Sequence, residues 1–356
     1  MIKKFFEPRV NRLTWGCIAA MAAIFLALAV RSGIAEGLGR HGSLAYYSSL
    51  ISESFGYIVL GGAYFAAAFL AAIVTLSLIR NLVNLARGKK EMPTMLGRSS
   101  VRGIFTSAAK KVGATVGILA PAFLFVIIMS FVLDSLSAIN KMRLIDVTLL
   151  NIEKAMFGNY GFMIWTAAPY PDLFARFIVI SFEGMSGILI AAAIAIACVR
   201  RDVLRHLAAA FCLAMLLMVP LWLVFPALSP QDRFIDNVYH LSVPTEIASA
   251  VSNFHPVPPI GDFLAKVRAG KQRLADLPTS TMPSAHTAWA VLVGWYLFRA
   301  KKWFGWIALP FLIGSTLGTI ILAQHYFLDP VIGFVIAGFA IWATDRLAKQ
   351  DRVAAA

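Results

Sequence analysis

Eight stretches of this chain are apolar over about the length a helix needs to cross a bilayer, roughly 20 residues each. They lie near 13–31, 54–79, 112–133, 174–198, 204–226, 284–299, 303–324 and 329–345. Backbone N–H and C=O groups inside hydrocarbon must bond within their own segment, so runs of this kind become helices. The expected fold is an all-α integral membrane protein with about eight transmembrane helices. Composition agrees, since 59% of the 356 residues are hydrophobic and 14% charged, a balance no soluble domain carries. Lys3 and Lys4 ahead of the first run give it the look of a signal peptide, but its length favours a retained anchor. Cys17, Cys198 and Cys212 lie within or at the ends of apolar runs and suggest neither a disulfide framework nor a thiolate metal site.

The formal charge of +14 reads as basic loops beside a membrane, and no nucleic-acid partner is expected. With a cytoplasmic N-terminus, the inner segments collect most of the 32 lysines and arginines. They include Lys3, Lys4, Arg9 and Arg12, the cluster from Arg80 to Lys111, then Arg200, Arg201, Arg205, Arg299, Lys301, Lys302, Arg346, Lys349 and Arg352. This asymmetry places both termini in the cytoplasm. The expected setting is a bacterial inner membrane, with His286 and His325 on the periplasmic face. Residues 1–111 form two helices and a basic amphipathic segment, 112–345 a six-helix core, and 346–356 a tail. Mixed basic and apolar residues in 80–111 suit either a surface-lying segment on anionic lipid or simple topogenic charge.

Two outer segments are long enough to cover a site. In 134–176, Asp146, Leu149, Leu150, Glu153 and Phe157 fall at helical spacing before Gly158, which suits a C-cap. This segment either lies across the outer face or simply connects. The segment 227–282 is punctuated by prolines, and its Ile260, Phe263, Leu264 and Val267 trace one face of a helix with Lys266, Arg268 and Arg273 interleaved. A loop of this kind beside a site reads as a lid.

The chemistry concentrates in Pro283-Ser284-Ala285-His286 and in His325-Tyr326-Phe327-Leu328-Asp329-Pro330, separated by one membrane-length hairpin. Ser284 suits an N-cap, and Asp329 followed by Pro330 suits another. Two helix N-termini would then face one outer pocket, and such termini bind phosphate. An imidazole held by a carboxylate is a competent nucleophile. We assign His325 as nucleophile, Asp329 as its orienting partner, His286 as general acid and then base, and Ser284 as a phosphate ligand. Zinc held by two His and one Asp is the rival reading, though no second acid lies close in sequence. Glu183, the one acid clearly inside a span, either lines a headgroup pocket with Ser181 and Ser186 or bonds a neighbouring helix while protonated.

Pro-Ser-Ala-His at 283–286 and His-x3-Asp at 325–329 resemble the second and third motifs of the type-2 phosphatidic acid phosphatase superfamily. The resemblance covers roughly residues 112–345. It implies a six-helix core, a phosphohistidine intermediate, no metal or other cofactor, and membrane lipids as partners. Two departures stand out. The third motif usually carries Ser-Arg where this chain has Gly318 and Thr319. The first motif, Lys-x6-Arg-Pro, survives only as the spacing of Lys266 and Arg273, with Leu274 in place of Pro, and Arg233 is the other candidate clamp.

A phosphomonoester is close to a dianion and a phosphodiester carries one charge, so fewer cations suit the diester. The pattern therefore looks most like the inositol phosphorylceramide synthase branch. The expected activity moves a phosphoryl headgroup, such as phosphoinositol, from a glycerophospholipid to ceramide or diacylglycerol. The alternative is a lipid phosphate phosphatase acting on phosphatidate, an isoprenyl pyrophosphate or lipid A. A transporter or scramblase fits less well, because its polar sites belong near the midplane.

Overall fold

The computed structural model describes residues 9–32, 101–140, 144–271 and 280–355. The expected span at 54–79, the basic stretch 80–100 and the candidate clamp Arg273 lie outside these described residues. In chain order the helices are α1 Arg9–Ser32, α2 Val101–Asn140, α3 Asp146–Phe157, α4 Asp172–Glu183, α5 Met185–Val199 and α6 Arg201–Val224. There follow α7 Thr245–Ser252, α8 Pro258–Lys271, α9 Ala285–Ala300, α10 Lys302–Ile321 and α11 Leu328–Ala355. Two π-helical turns, Phe162–Thr166 and Gln231–Ile235, complete the regular structure. Among the described residues no strand occurs.

Helices α1, α2, α6, α10 and α11 each contain a stretch long and apolar enough to cross a membrane. The pair α4 and α5 counts as a sixth crossing if taken together. Their axes are bent by 61°, which corrects the expectation of one continuous span at 174–198. Gly184 sits at the break, where a Cβ would stand 2.8 Å from the carbonyl oxygen of Ile180. Only glycine lets the chain turn that tightly. Helix α9 has 16 residues, about 24 Å at 1.5 Å per residue, and is shorter than the roughly 30 Å hydrocarbon layer.

The main core joins α1, α2, α5, α6, α9, α10 and α11 through residues such as Met21, Phe125, Met215, Met218, Tyr296 and Ala337. Many are small or flexible, which lets membrane helices approach closely. Outward-facing Trp306, Ile307 and Val335 are well exposed, as lipid-facing side chains of a spanning helix are. Two satellite clusters cap one end. One gathers Leu149, Leu150, Phe162, Phe234, Ile247 and Tyr326. The other sets Ile260, Phe263 and Leu264 of α8 against Ala175 and Ile178 of α4, so the apolar face expected there is buried as read.

The opposite end is basic. The Arg9 guanidinium donates to Gln350 at 2.5 Å, Val10, Ala209 and Ala348 pack together, and Arg299 pairs with Asp345. The start of α1 and the ends of α9 and α11 therefore share one side. Lys301 lies 5.5 Å over the Trp303 ring and Arg346 5.6 Å over Trp342, the cation and indole arrangement of a membrane interface.

Candidate active site

His325 is positioned by the turn that reverses the chain between α10 and α11. Its backbone N–H and that of Gln324 both donate to the Thr319 carbonyl, at 2.8 and 3.1 Å. The ring lies in a line of three side chains. Asp329 Oδ2 is 3.2 Å from His325 Nδ1, and His325 Nε2 is 3.3 Å from Ser284 Oγ. Asp329 is wholly buried, and the same Oδ2 accepts the Tyr326 N–H at 3.1 Å. A carboxylate at Nδ1 keeps the proton there and leaves the Nε2 lone pair facing Ser284. Asp329 was expected to be an N-cap, but α11 begins one residue earlier, at Leu328. Its carboxylate turns back to His325 instead.

Ser284 does cap its helix. Its Oγ accepts the Thr287 N–H at 3.3 Å, and its own N–H donates to the Asp329 carbonyl at 3.0 Å. The starts of α9 and α11 are thus stitched together. Gly333 permits this contact, since a Cβ there would be 2.6 Å from the Ser284 oxygen. The Trp222 indole donates to the Pro283 carbonyl at 3.1 Å and fixes the approach to the helix.

His286, in the first turn of α9, is held by aromatic faces. Its ring stacks on Phe182 of α4 at 4.4 Å and 8°, with Trp289 5.5 Å away. The two imidazole centroids are 6.5 Å apart. Asp329 serves Nδ1 of His325 and does not share a centre with His286, so the three residues do not converge as zinc ligands would. Among the described residues, no group of three His, Cys, Asp or Glu side chains is placed to hold a metal ion.

The expected helix at 146–157 is present as α3, ended by Gly158 in the left-handed conformation, φ 79°. Its two acids brace the turn that carries His325. Glu153 accepts the Phe327 N–H at 2.6 Å and the Gly161 N–H at 3.2 Å. Asp146 accepts the Leu228 N–H at 2.6 Å and the Tyr326 hydroxyl at 3.4 Å. Burial pushes Glu153 up to about 7, against the pull of those two N–H groups. Burial likewise raises Asp146 to about 6, opposed by the Leu228 N–H and the Arg233 charge. Phe157, Trp165 and Phe327 close over this region with centroids 5.0 to 5.8 Å apart.

The candidate phosphate ligands separate. Ser284 joins the histidines. Arg233 is 7% exposed, with Nε 3.9 Å from Asp146 and Nη2 donating to the Ser242 carbonyl at 2.7 Å, so these contacts hold it within the cap. Lys266 pairs with Glu183 at 2.5 Å. Glu183 is a partly exposed ion-pair partner at a helix break, bonded to the neighbouring helix α8. Ser181 turns away from it and packs against Gly314. The place of the missing Ser-Arg pair is filled. Thr319 is fully buried, and a Cβ at Gly318 would meet Phe182 at 2.9 Å. Phe182, which touches both Gly318 and His286, carried no signal in the sequence.

Fold and site together describe a multi-pass helical membrane protein that gathers two histidines, a buried carboxylate and a serine at one end. The model of the PAP2 superfamily matches residues 148–343, more than half of the chain and a span that includes both histidines, Asp329 and Ser284. The chain belongs to this superfamily. No curated protein matches the chain. No solved structure matches it.

Proposed function

We propose that the protein is a metal-independent lipid phosphotransferase that moves a phosphoryl headgroup from a glycerophospholipid to the hydroxyl of a lipid acceptor such as ceramide or diacylglycerol. The observation that carries this reading is the line Asp329, His325, Ser284 with His286 facing it at 6.5 Å. His325 Nε2 attacks phosphorus and the bond to the diacylglycerol oxygen breaks, with His286 supplying the proton that oxygen needs. The headgroup phosphoryl is then carried on His325, whose Nδ1 proton stays against Asp329. The acceptor hydroxyl next attacks phosphorus, His286 takes its proton, and His325 leaves. Ser284 and the N–H groups at the start of α9 stabilise the charge on the phosphoryl oxygens.

Transfer of a diester headgroup is favoured over hydrolysis of a monoester by the absence of the arginine at position 319, where the buried Thr319 stands instead. A singly charged diester requires less cationic compensation than a dianion. Depth supports a lipid acceptor: α9, at about 24 Å against a roughly 30 Å hydrocarbon layer, would begin just below the membrane boundary, within reach of a lipid's glycerol region. We place this face on the periplasmic side of a bacterial inner membrane, because the opposite end carries Arg200, Arg201, Arg205, Arg299, Lys301, Lys302, Arg346 and Lys349.

The test is product identification by mass spectrometry after incubating the full chain with a glycerophospholipid plus ceramide or diacylglycerol, and separately with phosphatidate. Diacylglycerol release with a new headgroup-bearing lipid is expected. Cleavage of phosphatidate to diacylglycerol and free phosphate, with no headgroup transferred from the glycerophospholipid, would make the enzyme a phosphatase.

A further inference from the structure

A concavity of about 270 Å³ opens between α4 and α8. Its floor is apolar, formed by Val179, Ile180 and Phe263. Phe182 stacks on His286 at 4.4 Å and meets Phe263 edge-to-face at 5.8 Å. Phe263 of the groove and then Phe182 therefore stand in succession toward His286. Helix α4 presents Leu173 and Ile180 outward, 82% and 60% exposed, so the groove opens toward lipid.

Four charged side chains line it: Arg176 and Lys266, Asp262 and Glu183. They are already matched in sign. Lys266 lies 2.5 Å from Glu183, with 71% and 38% of the two side chains exposed, and Asp262 acts electrostatically on Arg176. Asp172, one turn away on α4, also pairs with Arg176 at 2.7 Å. A headgroup with net negative charge meets at least as many carboxylates as cations here. A headgroup carrying both signs satisfies both. Surface pairs of this exposure are weakly held, so exchange of partners with a zwitterion costs little.

We infer that this groove binds the headgroup of a zwitterionic aminoalcohol phospholipid entering sideways from the bilayer. Lys266 and Arg176 take its phosphate, and Glu183 and Asp262 its amine. The apolar floor holds the glycerol and first acyl carbons, and Phe263 and Phe182 lie between the groove and His286. This assignment rests on the phosphotransfer reading and names the donor class for it. It selects an aminoalcohol headgroup over an anionic phosphoinositol.

The experiment uses the full chain carrying His325→Ala, so that binding is read without turnover. The protein is placed in nanodiscs doped with either phosphatidylethanolamine or phosphatidylglycerol, each bearing a photoreactive group near the head of the acyl chain. Labelled peptides are mapped by mass spectrometry. Phosphatidylethanolamine should label the 174–183 and 259–266 peptides on the order of tenfold more than phosphatidylglycerol, the worth of a charge-assisted hydrogen bond. Glu183→Gln should remove most of that preference, and Asp262→Asn, on the exposed rim, should reduce it in a chain that elutes as a single species. Equal labelling by the two lipids, or a preference untouched by both substitutions, would overturn the assignment. A product assay that fails in the wild-type chain while labelling persists would count against the transfer reading alone.

Discussion

The two histidines of the site are held in opposite ways. His325 is fixed by hydrogen bonds at both ring nitrogens, to the buried Asp329 and to Ser284, on a turn braced by Glu153 and Asp146. His286 is positioned by ring faces, sandwiched near Phe182 and Trp289. A nucleophile needs one tautomer and one direction of attack, which hydrogen bonds impose. A group that gives a proton and later takes one back works through one nitrogen aimed at the transferred oxygen, and packing against ring faces fixes the plane in which that nitrogen lies. The contrast explains why one half of the site is built from backbone and carboxylates and the other from aromatic side chains.

The contrast breaks most sharply at Asp329. Asp329→Asn should lower kcat roughly 10³-fold with little change in KM, because the amide no longer selects the His325 tautomer; steady-state kinetics check this. His286→Ala should cost about 10²-fold, and less with a donor whose leaving oxygen is more acidic, because a better leaving group needs less help. Comparing natural and activated donors reads that difference. Phe182→Ala should lower activity about tenfold by freeing the His286 ring while leaving phosphorylation of His325 possible, and single-turnover measurements separate the two.

The smallest expected effect is on stability. Glu153 and Asp146 are raised above their ordinary carboxylate values by burial, so folding favours their protonated forms. The stability they contribute is complete below the unfolded values of 4.5 and 3.8 and is lost as pH rises through about 7 and about 6. Thermal unfolding in detergent should therefore fall across that window. Glu153→Gln should flatten its upper part.

Much of this was legible in the sequence, for physical reasons. Apolar length marks spans because hydrocarbon admits little else, and seven of the eight expected spans coincide with described helices or a helix pair. Ser284 announced its cap, and His325 and Asp329, four residues apart, announced a pairing that the turn between α10 and α11 brings about. The α3 helix was visible in the spacing of Asp146, Leu149, Leu150, Glu153 and Phe157. What stayed hidden depends on tertiary proximity. The break at Gly184 looks like an ordinary glycine in an apolar run, and Lys266 reaches Glu183 across 83 positions. Arg233 read as a clamp because its burial against Asp146 cannot be seen in one dimension. Phe182 is one of 26 phenylalanines until the fold sets it between Gly318 and His286.

The central claim is that His325 carries the transferred phosphoryl group. The most direct measurement is to mix the protein with a headgroup-labelled donor lipid, quench under alkaline conditions, and locate the adduct by peptide mass spectrometry. The account predicts an acid-labile, base-stable phosphoramidate on His325 that disappears on adding the acceptor lipid and is absent from His325→Ala. An acid-stable adduct on Ser284, or turnover with no adduct on His325 at any time, would contradict it.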